Sequence, residues 1–83
     1  EILSNISIYP NPSSGLFTIE FNKFFDNNSN ILIVNYIGDV IFSEELKIGE
    51  TSKQINLSRF SKGIYFIELQ TEIGTYKKKI ILK

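Results

Sequence analysis

Any chemistry in this chain must be built from carboxylates, hydroxyls and lysines. The 83 residues contain no His and no Cys. That removes the commonest general base and metal ligand, thiolate nucleophiles and disulfides. Neither a Ser-His-Asp nor a Cys-His arrangement can form, and the serines sit where turn propensity places them. Two carboxylates suffice in principle for glycoside hydrolysis. Of the acids, however, Glu44-Glu45, Glu50 and Glu72 fall at strand ends or turns, in no context that suggests a deep pocket. The segment Asp26-Asn27-Asn28-Ser29-Asn30 offers oxygen ligands. A calcium loop wants several carboxylates at alternating positions and a closing Glu, and only Asp26 is acidic here. No glycine loop resembles a phosphate cradle. Three N-x-[ST] triplets, at Asn5, Asn27 and Asn56, carry meaning only in a glycosylating compartment. The chain is therefore read as non-enzymatic, with no catalytic residue, no metal site and no cofactor.

The formal net charge is zero and the pI about 6.5, which argues against a nucleic-acid partner. The balance hides an asymmetry. Residues 1–52 carry two lysines against seven acids, and residues 53–83 carry six lysines and Arg59 against Glu68 and Glu72. A split of this kind marks either a basic face that meets a partner or an exposed edge strand protected by lysines. No stretch approaches the roughly 20 apolar residues of a membrane span, so direct membrane insertion is not expected. The opening Glu1-Ile2-Leu3-Ser4-Asn5 has no basic n-region and does not read as a signal peptide. The expectation is a single domain, residues 1–83, belonging to a longer secreted protein.

The palette is Ile-rich, with seven Phe, four Tyr and no Ala, which suits strands rather than helices. Apolar residues alternate with period two, and turn residues interrupt them every 8–12 positions or so. Strands are expected at residues 6–9, 16–21, 31–36, 40–46, 53–57, 64–71 and 75–82. Residues 31–36 are apolar on both faces and should be central, pairing with 40–46 across the tight Ile37-Gly38-Asp39 connection. Residues 58–63 read as a compact connection, one helical turn capped by Ser58. Glu72-Ile73-Gly74 reads as a hairpin loop with Gly74 at the αL position. Phe17, Ile19, Phe21, Ile33, Tyr65, Ile67 and Leu69 should form the core. Lys78 falls on the apolar face of the last strand, near its solvent end. The fold class is all-β: a seven-stranded antiparallel immunoglobulin-like β-sandwich, without the Cys…Trp…Cys framework of antibody domains.

Four segments, in order, carry a resemblance. The first is Tyr9-Pro10-Asn11-Pro12-Ser13-Ser14-Gly15 running into Leu16-Phe17. The second is Ile33-Val34-Asn35-Tyr36-Ile37-Gly38-Asp39-Val40-Ile41. The third is Leu57-Ser58-Arg59-Phe60-Ser61-Lys62-Gly63-Ile64-Tyr65, an L-x-x-x-x-x-G-x-Y segment. The fourth is Gly74 followed by Lys79-Ile80-Ile81-Leu82-Lys83. Together they cover nearly the whole chain, which resembles the C-terminal sorting domain, type A, of the type IX secretion system of Bacteroidetes. Pro10, Asn11, Pro12, Gly15, Gly38, Gly63, Tyr65 and Gly74 match the family motif. Two departures stand out: Asn35-Tyr36-Ile37, where an Asp is more usual nearby, and the triple lysine Lys77-Lys78-Lys79.

The resemblance implies an address rather than an activity. In family terms an N-terminal cargo crosses the inner membrane by its own signal. The C-terminal domain then directs it through the periplasm and the outer-membrane translocon by way of a shuttle protein. A surface sortase-like peptidase removes the domain, and the cargo is released or joined to lipopolysaccharide at the cell surface. Recognition is expected on the last strand, at Lys77, Lys79, Ile80, Ile81, Leu82 and Lys83, by strand addition to an open edge. The motif residues also have a purely structural reading. The prolines end an edge strand, the glycines take positive φ, and Tyr65 is a core residue whose hydroxyl reaches a backbone acceptor. A rival reading is an adhesion or carbohydrate-binding sandwich of a surface enzyme, and another is a passive spacer.

Overall fold

A computed structural model describes residues 6–21, 29–47, 49–71 and 74–83. Seven strands follow one another: β1 (Ile6–Tyr9), β2 (Leu16–Phe21), β3 (Ser29–Asn35), β4 (Val40–Leu46), β5 (Ser52–Asn56), β6 (Gly63–Thr71) and β7 (Gly74–Leu82). Among the described residues there is no helix. The strands form a three-stranded sheet, β1-β2-β5, and a four-stranded sheet, β4-β3-β6-β7. Every ladder is antiparallel. The all-β sandwich expected from the alternation is the fold found. β3 is central, as its apolar faces required, and pairs with β4 across the expected hairpin.

The two sheets pack through alternate residues. Phe17, Ile19, Phe21 and Ile55 project from the smaller sheet, and Ile31, Ile33, Leu46, Tyr65, Ile67, Leu69, Ile80 and Leu82 from the larger one. All are buried, and Leu57 and Ile6 complete the core. All seven residues expected in the core lie in it. β4 carries an extra residue relative to β3 between Ile33 and Val34, a bulge that lets both Ile41 and Phe42 lean on the core.

Local expectations fail at three points. The 57–62 connection is a turn, not a helical turn. Phe60 N–H donates to the Leu57 carbonyl, and the Ser58 N–H donates to Asn56 Oδ1. Asn56 therefore supplies the side-chain acceptor that Ser58 was expected to supply. Gly74 has positive φ, +150°, but lies outside αL and opens β7 as the partner of Thr71. Lys78 is exposed, yet it sits between half-buried Tyr76 and buried Ile80 rather than at the end of the apolar face. Of the calcium-loop candidate at residues 26–30, residues 26–28 lie outside the described residues, and Ser29 and Asn30 belong to β3.

Lys53 links the two sheets at their other margin. Its Nζ lies 2.8 Å from Glu44 Oε2 on β4 and 3.1 Å from Glu50 Oε2. The Lys47 N–H donates to Glu50 Oε1 at 2.7 Å. That backbone bond, with Lys53 in second place, holds the Glu50 carboxyl below its ordinary pKa. A carboxylate with a lowered folded pKa stabilises the fold above its unfolded value, and the contribution is lost as pH falls through the folded value.

Two measurements follow from this packing. Ile67→Ala should cost about 2–5 kcal/mol in urea unfolding, a large share of the stability of so small a domain. Glu50→Gln should flatten the acid side of the melting temperature plotted against pH, because the glutamine has no proton to gain. An unchanged acid limb would mean that Glu50 does not contribute to it.

Candidate functional site

The sheet order leaves β7 as an edge strand, as the sequence suggested. Its outer edge is not open along its length. Asn11 Nδ2 donates to the Lys79 carbonyl at 3.2 Å, and the Ile81 N–H donates to Asn11 Oδ1 at 3.1 Å. One carboxamide thus takes the place of a neighbouring strand's peptide group. The next two main-chain groups are taken by Ser13. Its N–H donates to the Ile81 carbonyl and its carbonyl accepts from the Lys83 N–H, both at 2.9 Å. This makes a parallel bridge between Ser13 and Leu82. The expectation of an open edge at residues 79–83 is therefore corrected. The main-chain groups without a partner among the described residues are those of Thr75 and Lys77 and the N–H of Lys79.

The turn that delivers Asn11 is built around Ser13, which is buried despite its hydroxyl. Ser13 Oγ accepts from the Gly15 N–H and donates to the Leu16 carbonyl, both at 2.9 Å. Both of its hydrogen-bonding directions are used, so burial leaves nothing unsatisfied. Gly15 has φ +130°, and a Cβ there would lie 2.7 Å from Ser58 Cα. Its carbonyl accepts from the Leu57 N–H at 2.7 Å. Glycine is the residue that permits both the backbone angle and the approach. Tyr9, which precedes the turn, donates from its hydroxyl to Glu20 Oε1, and the carboxylate raises the phenol pKa.

The expected recognition residues divide by side-chain direction. Ile80 and Leu82 are 2% and 4% exposed and belong to the core. Lys77, Lys79 and Ile81 share the outer face, opposite Glu68, Phe66 and Ile64 of β6. Lys77 is already paired, its Nζ 3.5 Å from Glu68 Oε2. Lys79 and Lys83 have no carboxylate partner among the described residues, and the Lys83 carbonyl accepts from Lys62 Nζ.

The remaining motif residues fix neighbouring turns. Asn35 Oδ1 accepts from the N–H groups of Ile37 and Asp39, and Gly38 with φ +96° completes the reversal. An Asx turn needs only an acceptor oxygen, which Asn35 supplies as well as an Asp would. Tyr65 is buried and its hydroxyl donates to the Ser61 carbonyl, the tyrosine-corner arrangement expected of it. Gly63 opens β6 opposite Leu82. Sequence reasoning treated Ser13 as an ordinary turn residue and missed its role as the turn's hub. It also missed the exposed cluster of Tyr36, Ile37 and Phe60. The signal for the cluster was present: large apolar residues at turn positions contradict turn propensity.

Asn11→Ala removes both side-chain bonds to β7. It should cost about 1–2 kcal/mol and speed hydrogen exchange at Ile81 N–H while leaving Ile67 N–H unchanged. Gly15→Ala should cost more, about 2–4 kcal/mol, because backbone strain and a clash with Ser58 backbone combine. Gly38→Ala, with open space around it, should cost only about 1 kcal/mol. Urea unfolding of the three variants checks the order, and equal costs for Gly15→Ala and Gly38→Ala would remove the close approach as the reason for Gly15.

Comparison with known proteins bears on these same elements. An endo-acting ulvan lyase of Formosa agariphila is 32% identical over 83 residues, which are 99% of this chain and 16% of the lyase. The chain thus spans about one sixth of the length of that relative. The family described as "Secretion system C-terminal sorting domain" matches residues 7–83, from β1 to the end of β7. With the Pro10–Gly15 turn, the Gly63–Tyr65 segment and the lysine-rich last strand all inside that match, the chain belongs to this family, whose domains are the C-terminal sorting signals of type IX secretion.

Proposed function

We propose that the domain is read as a folded surface, and that the reading surface is the outer face and margin of β7. Lys77, Lys79, Ile81 and Lys83 supply side chains to a receptor, while Ile80 and Leu82 anchor the strand from behind. The observation that carries this is the division of β7: buried residues alternate with Lys79 and Ile81, and Asn11 and Ser13 hold the strand in that register. Strand addition fits only the short open stretch from Thr75 to the Lys79 N–H, so side-chain contacts carry most of the recognition. Family membership implies export across the outer membrane. In this reading the partners are the type IX translocon and its outer-membrane shuttle protein, and the destination is the cell surface or the medium. A surface sortase-like peptidase then separates the domain from an N-terminal cargo. The domain itself performs no catalysis. Among its described residues no group of three or more acids is placed to hold a metal ion.

The test is a reporter with a periplasmic signal peptide and this chain at its C-terminus, in a host with the type IX machinery. The intact fusion should reach the surface or medium. Deletion of Ile80–Lys83 should retain it in the periplasm, but that change also removes two core residues. The decisive variant is therefore Lys79→Glu with Ile81→Ser and Lys83→Glu, which leaves the core untouched. It should reduce export strongly with the melting temperature preserved. A single Lys→Ala should reduce export by about fivefold at most, since exposed charge pairs contribute about 0–1 kcal/mol. Full export of the folded triple variant would move recognition off β7.

A further inference from the structure

Among the described residues eight large apolar side chains stand exposed, and six of them gather at one pole: Tyr36, Ile37, Val40, Phe60, Ile64 and Ile81. The sheet register explains the gathering. On the outer face of the four-stranded sheet, Val34 lies between Val40 and Phe66, and Ile64 lies opposite Ile81. Farther along, toward the Thr71–Gly74 end, the same face carries Ser43, Glu68 and Lys77, with Leu32 between Ser43 and Glu68. The solvent face of an antiparallel sheet is ordinarily polar, so half of this one departs from the rule. Contiguous apolar surface of this kind on a small domain marks an interaction site.

The patch runs into a cleft of about 340 Å³ between the β3–β4 turn and the connection that precedes β6. Tyr36, Ile37, Ile41, Phe60 and Ile64 line it, and the lining includes Lys62 but no acid. The cleft is shaped in advance. The Asn35 carboxamide holds the turn that carries Tyr36 and Ile37, and the Phe60 N–H is bonded to the Leu57 carbonyl.

Two observations identify the occupant. The first is the wall chemistry. The apolar part of the walls is three isoleucines, Ile37, Ile41 and Ile64, with the rings of Tyr36 and Phe60, and the Tyr65 hydroxyl is committed to the Ser61 carbonyl with the Ser61 hydroxyl 3.4 Å from that phenol oxygen. Exposed isoleucines and rings of this kind gain most from covering by an apolar side chain, which leaves water on entering. The second is charge. Glu44 and Glu50 are taken by Lys53, and Glu68 by Lys77. Arg59, Lys79 and Lys83, which lie in or next to this pole in sequence or register, have no acidic side-chain partner among the described residues, and Lys62, whose Nζ donates to the Lys83 main-chain oxygen, has none either. Asp39 is the one acid in the adjoining turn. A second copy of this chain docking by the same face would oppose cation to cation, which is unfavourable.

We infer that the cleft is a docking site for an extended segment of a partner protein in which an apolar side chain is flanked by carboxylates. The apolar side chain enters between Ile37, Phe60 and Ile64, and the carboxylates meet Lys62 and Lys79. This site adjoins the β7 surface of the sorting reading and shares Lys79 with it, but its cleft between Ile37, Phe60 and Ile64 is separate from that surface, and its test does not use export.

The experiment is a titration of the isotope-labelled chain, followed by amide NMR, with three short blocked peptides: alternating leucine and glutamate, alternating leucine and lysine, and alternating serine and glutamate. The leucine–glutamate peptide should shift the amides of Tyr36, Ile37, Phe60 and Ile64. It should bind about tenfold or more tightly than either of the others, with the advantage over leucine–lysine shrinking as salt is raised. Ile37→Ser with Ile64→Ser changes two exposed residues outside the core, so the fold is retained, and binding should fall by about tenfold or more. The inference is overturned if the three peptides bind alike, if the shifts fall elsewhere, or if none binds at millimolar concentration. It is equally overturned if a sulfated oligosaccharide shifts these amides where the peptides do not. Concentration-dependent self-association that the double variant abolishes would also overturn it, by assigning the face to a second copy.

Discussion

The outer edge of β7 sets the terms for the rest of the molecule, because main-chain groups left unpaired at a sheet edge pair with any strand that reaches them. Two different devices close it. Along Lys79–Lys83, Asn11 and Ser13 occupy four successive groups from a turn some 70 positions away in sequence. Along Thr75–Lys79 the groups stay open, and the protection is charge. Lys77 and Lys79 stand on one face, and Lys78 stands between Tyr76 and Ile80 on the other. A lysine on the core-facing side of an edge strand resists a further strand, since the newcomer would have to bury it. The Pro10–Gly15 turn is thus more than the end of β1. It is the piece that joins the three-stranded sheet to the margin of the four-stranded one. Gly15 is fixed by the same requirement, since the turn reaches β7 only by passing against the backbone of Ser58.

What could be read in the sequence was whatever depends on near neighbours along the chain. The alternation Tyr65, Ile67, Leu69 and the turn residues around Gly38 placed seven strands and a core within a residue or two. β3 begins at Ser29 rather than Ile31, because Ser29 is buried and pairs with Leu46, and a serine gives no apolar signal. The cap at Ser58 failed for a related reason. Asn56 and Ser58 both carry an oxygen suited to a turn, and only the path of the chain decides which one is used. The link between Asn11 and β7 had no local trace at all. It depends on sheet order, and one polar loop residue looks much like another until the strand it touches is known. The lysines were seen, but not that Lys77 faces Glu68 while Lys79 faces Phe66.

The zero net charge of the chain conceals a separation that the structure makes spatial. Lys53 binds Glu44 and Glu50 at the margin where β5 and β4 approach, and Lys77 binds Glu68 on the outer face. Those pairs take up much of the acid and leave the surplus cations toward the pole formed by the β3–β4 turn, the 57–62 connection and the end of β7. Exposed pairs of this type contribute little to stability singly. Their larger effect is on the field. A domain with no net charge but with one basic pole is oriented as it approaches an acidic surface, over distances of about a Debye length.

An apolar patch and a basic rim at the same pole answer two demands that otherwise conflict. A domain that must be recognised needs surface that gains by being covered, and apolar area is the strongest general source of that gain. The same area threatens association with other copies of the chain. Cations around the patch separate the two cases. Two copies meeting face to face bring Lys62, Lys79 and Lys83 against their equivalents, whereas an acidic partner meets them with opposite charge, so specificity comes from a repulsive element as well as an attractive one. The clasp on β7 serves the same end by another route. It leaves the side chains of Lys79 and Ile81 exposed while withholding the main chain of residues 79–83 from strands in general. In the proposed reading, recognition is thereby confined to partners that match side chains, which a passing strand edge does not.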